Sequence, residues 1–584
     1  MNKELLTLKK ESQKIIKGKN KKSITLSHTR LFLFIVLFIV LFISLSTTNY
    51  IGLSISLLLG ITFIIVIIIH EKLLKEINKH EFIINTISRY ENRTNDKWKE
   101  EQSENIDNLP NFVNDLDIIN GNSLFKYLNF TKSLGSKNKL INSLILKDKI
   151  NKKEIISKQE SIKEISSNPK LIIESEYLLN KIDKIEETDY KEYFSFFTNK
   201  RDLNKIELII SIIISCITTI IGILTLFNIT PLISLIILII IQLIHSYIVN
   251  LRYNEQLELI NKYSRIYSNL KEIYEYISKQ EFSSKKNNNI KDSITKGTAI
   301  LNRINKLNDL NSLRYNFITN FIFNIFMSLN IIVINKYNKI LKENISIFKE
   351  SIKSLEEYEV LLSLSTIPLV KKDISLPSIT NELELTTNNI KHPLLKENTC
   401  IDNSFSCQKD INIITGSNMS GKTSFMKTIA TNLILAYNGT YVNSLEFTCP
   451  IANLFTSINV KDDISKGIST FYGELKRIKD ILDYSKKNND KLIIFIDEIF
   501  KGTNYNDRIL GAKEVLNQLS KLNCIVFLTT HDFELCEVNQ KEIKNYHFSE
   551  NYKNKKINFD YKIKEGKCNT TNAQYLMKKM GIIK

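Results

Sequence analysis

Three stretches in the last third of the sequence gather residues that can handle phosphate. The apolar run Ile411-Asn-Ile-Ile-Thr is followed by Gly416-Ser417-Asn418-Met419-Ser420-Gly421-Lys422-Thr423-Ser424 and then by the helix-forming sequence FMKTIATNLILAY. A glycine loop between strand and helix lets backbone N–H groups wrap an anion at a helix N-terminus, where the dipole favours negative charge. Lys422 is expected to reach the β and γ phosphates of a nucleotide, and Thr423 to offer its hydroxyl to Mg²⁺. The strand, loop and helix in this order make the pattern far more specific than the glycine-lysine spacing alone.

Asp497 lies 75 residues beyond Lys422, at the end of Lys491-Leu-Ile-Ile-Phe-Ile-Asp497-Glu498. An apolar run ending in acids reads as a central parallel strand that delivers carboxylates to the C-terminal edge of a sheet. There Asp497 would hold Mg²⁺, and Glu498 would orient or deprotonate an attacking water. Another apolar run, Cys524-Ile-Val-Phe-Leu-Thr-Thr, ends at His531, placed to sense the γ-phosphate. A lone histidine at such a place is usually a satisfied core residue. Its position in series with the other two motifs favours a catalytic role.

The elements around these motifs are of two kinds. At 584 residues the chain is long enough for two or more domains. Seven cysteines, at 216, 400, 407, 449, 524, 536 and 568, form no C-x-x-C pair, which argues against a disulfide framework or a structural zinc site and suits a reducing compartment. The net charge of +18 comes from lysines spread along the whole chain. That distribution reads as compositional bias plus basic flanks of cytoplasmic loops more readily than as a nucleic-acid footprint.

Two charge-free apolar runs, Leu31 to Ser46 and Ile51 to Ile69, are separated only by Thr47 to Tyr50, and a second pair, Leu208 to Phe227 and Leu232 to Val249, by Asn228 to Pro231. A helix rises about 1.5 Å per residue, so runs of this length approach a hydrocarbon core of about 30 Å. With no polar face to turn to water, they read as two transmembrane hairpins. Nine basic residues in the first thirty, and the Lys-rich loop between the hairpins, place both termini and that loop in the cytoplasm. Phe317 to Ile334 is also free of charge. A fifth span would put the phosphate motifs outside the cell, and Asn320, Asn324 and Asn330 weigh against it, so it reads as a buried helix of the soluble core. Gln242 and His245, near the cytoplasmic end of the fourth run, are expected to reach the headgroups. After that run, Ile260, Tyr263, Tyr267, Leu270, Tyr274 and Ile277 alternate steps of three and four, the seam either of a coiled-coil lever or of an ordinary core helix.

The motifs also carry a family resemblance. GSNMSGKTSFMKTIATNLILAYNGTYV resembles the phosphate loop of MutS proteins, and DDISKGISTFYGELKRIKDIL their ABC-type signature segment. IFIDEIFKGTNYND, LTTHDFEL and the tail FDYKIKEGKCNTTNAQYLMKKMGI resemble the family's Walker B and D-loop, His-switch, and closing strand and helix, over roughly 190 residues. A fainter likeness to the MutS helical core reaches back to about residue 118. The resemblance implies an ATPase that uses ATP and Mg²⁺ and works as a head-to-tail homodimer, with Ser469 and Thr470 of the signature segment capping the partner's nucleotide. Mismatch-repair members begin with a DNA-reading domain, where this chain has a basic tail and an apolar hairpin. The family's adenine-stacking aromatic falls at Cys400, with Phe405 as the nearest substitute. Mismatch recognition is therefore not expected, while DNA contact stays open.

Together these readings predict an α/β ABC-like ATPase domain preceded by an all-α MutS-core-like region interrupted by membrane hairpins. The expected divisions are a basic cytoplasmic tail (1–30), a first membrane hairpin (31–70), a helical linker (71–117), a leading helical-core segment (118–207), a second membrane hairpin (208–250), a trailing helical-core segment with lever helices (251–390) and the ATPase domain (391–584). The expected function is a membrane-anchored ATPase whose dimer opens and closes to move the levers. A membrane-tethered DNA clamp and an ABC-like transporter are the rivals.

Overall fold

The structure is a computed structural model that describes residues 3–182, 204–458, 460, 470–538, 540–553 and 556–567. Its contacts divide the chain into two compact units, one of residues 1–128, 143–177 and 364–584 and one of residues 129–142 and 178–363.

The first unit contains the ATPase-like α/β region. Ten strands, β1 (Ser378–Thr380), β2 (Leu385–Ile390), β3 (Asn403–Cys407), β4 (Ile411–Thr415), β5 (Glu446–Pro450), β6 (Asn453–Ser457), β7 (Leu492–Asp497), β8 (Cys524–Thr529), β9 (Ile543–Lys553) and β10 (Lys556–Glu565), form two sheets. The smaller has the order β1-β5-β2-β3 and the larger β10-β9-β4-β8-β7-β6. In the larger sheet every neighbouring pair from β9 to β6 is parallel, and β10 closes it antiparallel to β9. β4 and β8 are buried along their whole length and β7 up to its terminal Asp497, which explains why their sequences are unbroken apolar runs. Ile413, Ile494, Ile496, Val526 and Leu528 share one core with Ile478 and Ile481 of the helix Thr470–Lys487 and Leu516 of the helix Tyr505–Leu519.

The same unit holds the first long helical hairpin, Lys3–Ser46 and Tyr50–Thr94. The basic residues near the N-terminus belong to the same rod as the first apolar run. They lie along the second helix, with Lys9 paired to Glu91 at 2.5 Å, Lys19 to Glu76, and Ser23 2.9 Å from His70. Between these polar ends and the turn at Asn49, which caps the second helix, the apolar side chains face outward, as at Phe42 (68% exposed) and Leu57 (69%). The hairpin's far end is bonded into the unit. Tyr90 and Arg89 donate to the buried Glu176, and Arg93 donates to the carbonyl of Tyr127.

The second unit is helical. Lys205–Leu226 and the 47-residue Leu232–Ser278 form the second apolar hairpin. The later portion of Leu232–Ser278 carries the predicted seam. All six seam residues are at most 1% exposed, packed against Lys285–Ser312 and Leu329–Leu364 of the same chain. Tyr267 meets the ring of Phe348 at 5.9 Å, and the Tyr274 hydroxyl donates to Ser351 Oγ. Gly297 allows this approach, because a Cβ there would fall 2.6 Å from Ser351. The seam is thus a core helix of a bundle, one of the two readings its sequence left open.

Among the described residues, four helices, the two of each hairpin, are long and apolar enough to cross a membrane, or five if a bent pair counts as one. The bent pair revises the reading of Phe317 to Ile334 as one buried helix. The chain breaks by 76° between Phe317–Met327 and Leu329–Leu364, with Ser328 left-handed at φ 47°. The stretch after the break is buried at Ile331, Val333 and Ile334, whereas Ile318 is 66% exposed and Met327 54%. Gln242 also departs from expectation: it is fully buried rather than reaching outward.

Candidate nucleotide site

The strand order brings the motifs together. β4, β8 and β7 are adjacent and parallel, so the loop after β4, the acids ending β7 and His531 beyond β8 emerge at one edge of the sheet. The loop from Gly416 to Gly421 is shaped by positive φ at Gly416 (143°), Met419 (70°) and Gly421 (110°). At Gly416 no side chain would fit, since a Cβ would fall 2.8 Å from the carbonyl oxygen of Phe548. Helix Lys422–Tyr437 starts directly after the loop and points its N-terminus into it.

Lys422, 5% exposed, donates from Nζ to the carbonyls of Gly416 and Ser417 at 2.9 and 3.0 Å. Thr423 Oγ1 donates to the Asp497 carboxylate at 3.1 Å, and Thr529 holds the same carboxylate at 2.5 Å. Glu498 takes the left-handed conformation, φ 54°, and its N–H donates to the carbonyl and hydroxyl of Thr529. This sharp turn sends two successive acids to different tasks. Asp497 faces Thr423, while Glu498 Oε1 lies 3.1 Å from His531 Nε2 and Oε2 lies 3.5 Å from Lys501 Nζ. The hydrogen bond from His531 holds the Glu498 carboxyl down at about 2; burial opposes it, and Lys501 and Lys422 reinforce it. His531 Nε2 also stands 2.7 Å from Asn418 Oδ1 and 3.4 Å from Lys422 Nζ, which joins the loop, Glu498 and the strand end.

Beside them lies a cleft of about 400 Å³ whose lining includes Asn418 to Phe425, Glu498, Ile390, Leu395, Cys400, Phe548 and Tyr561. The donor set fits a nucleoside triphosphate with Mg²⁺. A cradle closed to any Cβ at Gly416, a buried lysine, a hydroxyl facing a carboxylate, and a buried Ser420 Oγ without a hydrogen-bond partner all suit phosphate and a divalent cation. Ser417 donates to the buried Glu550 of β9, which anchors the loop from behind.

Of the residues singled out in the sequence, Gly416 to Ser424, Asp497, Glu498 and His531 converge here. Thr470 opens the helix Thr470–Lys487 and packs near Gly502. Ser469 lies outside the described residues, as do residues 462–468 of the signature segment and the helix expected at the C-terminal end. Phe405 is corrected as a base-stacking substitute. It is 5% exposed, and its ring is committed to Phe425, Phe527 and Tyr546 at 5.5, 5.6 and 4.9 Å. Cys400 does line the cleft, and the aromatic residues there are Phe548 and Tyr561 of the β9–β10 hairpin and Phe425. Two supporting acids carried no sequence signal. Glu474 accepts the Lys501 N–H and, through burial, has its carboxyl raised. Asp532, next to His531, takes both guanidinium arms of Arg508 at 2.9 Å.

Comparison with known proteins agrees with this geometry. Residues 412–582 match the family model of MutS domain V. The chain is 30% identical over 220 residues to the DNA mismatch repair protein MutS of Aquifex pyrophilus, a match covering 36% of this chain and 25% of that protein. It is 30% identical over 215 residues to its counterpart from Clostridioides difficile (35% and 22%), and 28% identical over 257 residues to that of Lactobacillus johnsonii (42% and 30%). The match spans only about a quarter of the length of these curated relatives. With motif order, strand order and site geometry in agreement, the C-terminal region of this chain, residues 412–582, belongs to the MutS domain V family of ATPase domains.

Proposed function

We propose that the chain is a membrane-anchored MutS-like ATPase, in which ATP binding and hydrolysis open and close a head-to-tail homodimer and move helices rooted in the bilayer. The observation that carries this reading is that Lys422, Thr423 and Glu498 line one cleft, with Asp497 bonded to Thr423 and His531 to Glu498. Bound Mg²⁺-ATP supplies the phosphoryl group that is passed to water. Lys422 and the loop N–H groups bind and orient the phosphates, and Thr423 with Asp497 forms the cation side of the site. Glu498, ionised at neutral pH, accepts a hydrogen bond from the attacking water, and His531 positions it through Nε2. Thr470, with Ser469, is proposed to cap the nucleotide of a second copy.

The membrane aspect of the proposal rests on four apolar helices whose outward faces no element of the described residues covers. Both hairpin turns, at Thr47 to Asn49 and at Asn228 to Pro231, are free of charge, and basic residues gather at the opposite ends. This distribution supports a cytoplasmic ATPase domain. The names of the relatives speak of DNA mismatch repair; only the ATPase is carried over from them, because the matches cover no more than 30% of their length and the matched family model, at residues 412–582, is that of the ATPase domain.

The test is Mg²⁺-dependent ATP hydrolysis by purified protein. Glu498→Gln should bind ATP yet turn it over at least about 100-fold more slowly, the scale of a lost general base. Lys422→Ala should weaken nucleotide binding itself. Undiminished turnover in Glu498→Gln would remove Glu498 from the mechanism.

A further inference from the structure

The break at Ser328 sits among side chains that do not belong in an ordinary soluble bundle. Phe317–Met327 packs against both helices of the second hairpin, within their apolar stretches. Two of the carbonyls at its C-terminal end are bonded from those helices: Gln242 Nε2 lies 2.9 Å from the Asn324 carbonyl, which also accepts the Ser328 N–H, and Thr219 Oγ1 donates to the Phe326 carbonyl at 3.1 Å. Ser328 Oγ donates to the Ser211 carbonyl at 3.0 Å and stands 2.5 Å from Ser215 Oγ and 2.8 Å from Gln242 Nε2. Across the break the Asn330 N–H donates to Asn324 Oδ1 at 3.1 Å, and Asn330 Nδ2 to Asn250 Oδ1 at 2.6 Å. Ser211, Ser215, Gln242, Asn324, Ser328 and Asn330 are all at most 6% exposed.

Water normally satisfies the end of a helix. Interrupted backbone at membrane depth persists only where protein groups replace that water. The polar cluster supplies this replacement, at the depth of Ser215 and Gln242, each seven residues from the cytoplasmic end of its apolar run. The other face of Phe317–Met327 is apolar and open at Ile318, Ile322, Phe326 and Met327, continuous with the open apolar faces of the hairpin at Ile213, Ile220, Ile237 and Ile244. An 11-residue helix rises only about 16 Å, half of a hydrocarbon core. It is too short to cross.

Resting on the membrane reading above, we propose that Phe317–Met327 is a re-entrant helix. It dips into the cytoplasmic leaflet beside the second hairpin, is held there by the Gln242 cluster, and presents Ile318, Ile322 and Met327 to lipid acyl chains. Leu329–Leu364 then returns the chain to the side from which it came. The number of complete crossings stays at four, and the ATPase domain stays in the cytoplasm. Asparagines that argued in the sequence against a fifth crossing are the groups that close the turn.

The test is thiol accessibility in the full-length chain, with the native cysteines replaced and single cysteines placed at Asn228, Asn316, Ile322 or Lys339. Intact cells and inverted vesicles are treated with a membrane-impermeant maleimide, and parallel samples with a lipid-soluble one. The expected pattern is Asn228 labelled from outside only and Asn316 and Lys339 from the cytoplasmic side only. Ile322 should be labelled at least tenfold faster by the lipid-soluble reagent than by the impermeant one from either side. Impermeant labelling of Ile322 as fast as of Lys339 would put the helix in water and overturn the proposal. Labelling of Asn316 and Lys339 from opposite sides would overturn it in favour of a complete crossing. Failure to label Asn228 from outside would instead refute the membrane reading of the hairpin itself, and the proposal with it.

Discussion

Glu498 shows how one residue's chemistry depends on its partner. A carboxyl half removed from water should rise in pKa, yet the hydrogen bond from His531 overrides burial and brings it from 4.5 to about 2. The folded value lies below the unfolded one. The pairing therefore contributes stability that is complete above the ordinary 4.5 and is lost as pH falls toward 2. His531→Ala should be less stable than the parent near pH 6, and the gap should narrow below pH 4.5; thermal unfolding across that range checks it, and a constant gap would show that the pair is not coupled to folding. The same variant should lose turnover by about 10- to 100-fold with nucleotide binding retained if His531, as proposed, orients Glu498 rather than cradling the phosphates. The residues of this site were legible in the sequence because strand, loop and helix leave short, ordered signatures. Glu474 and Asp532 were not: each acts on a backbone amide or a guanidinium that only the folded chain brings near. Phe405 misled because an aromatic beside a strand looks the same whether it faces a cleft or a core.

At the scale of elements, the parallel strands and apolar helices were readable because burial on both faces, or on none, writes an unbroken apolar run. The break at Ser328 was not, since apolar runs on either side of it are continuous and the turn is held by Gln242 and Ser211, far away in sequence. The short helix Asn111–Asp115 was equally silent. Its Asp115, 1% exposed, accepts from Thr456 Oγ1 at 2.7 Å, from the Ile458 N–H at 3.1 Å and from Arg477 at 2.5 Å. One buried carboxylate thereby ties the segment that follows the first hairpin to the end of β6 and to the helix Thr470–Lys487. Removing one member of a buried pair leaves the other charge uncompensated, typically at a cost of about 3 kcal/mol. Asp115→Ala should destabilise the ATPase-bearing unit by about that amount, and Asp115→Asn by less, since the amide can still accept from Thr456 or Ile458. Chemical denaturation compares the two. Equal stability of parent and Asp115→Ala would show that the tie carries no weight.

At the scale of the whole molecule, the question is what the net charge of +18 means for a chain whose ATPase domain resembles those of mismatch-repair proteins. Many of the lysines already face acids of their own unit, as Lys79 faces Glu174, Lys181 faces Glu272 and Lys427 faces Asp117. The others are distributed along the chain without forming one basic stripe in the sequence. Contacts of this kind neutralise phosphates and release counterions, so any affinity for DNA should fall steeply as salt rises. They read no base edges. A reader of mispaired sites discriminates by base contacts or by the energy of bending a weakened step, typically about 1–3 kcal/mol per position. Titrating the solubilised protein with matched and mismatched duplexes at two salt concentrations, with ATP and without, separates the cases. The expected outcome is equal binding to both duplexes, lost at physiological salt. A mismatch preference above about tenfold, or about 1.4 kcal/mol, that survived physiological salt would mean that this chain reads DNA as repair proteins do. The apolar helices would then serve as the anchor of a sensor rather than carry the proposed motion of a motor.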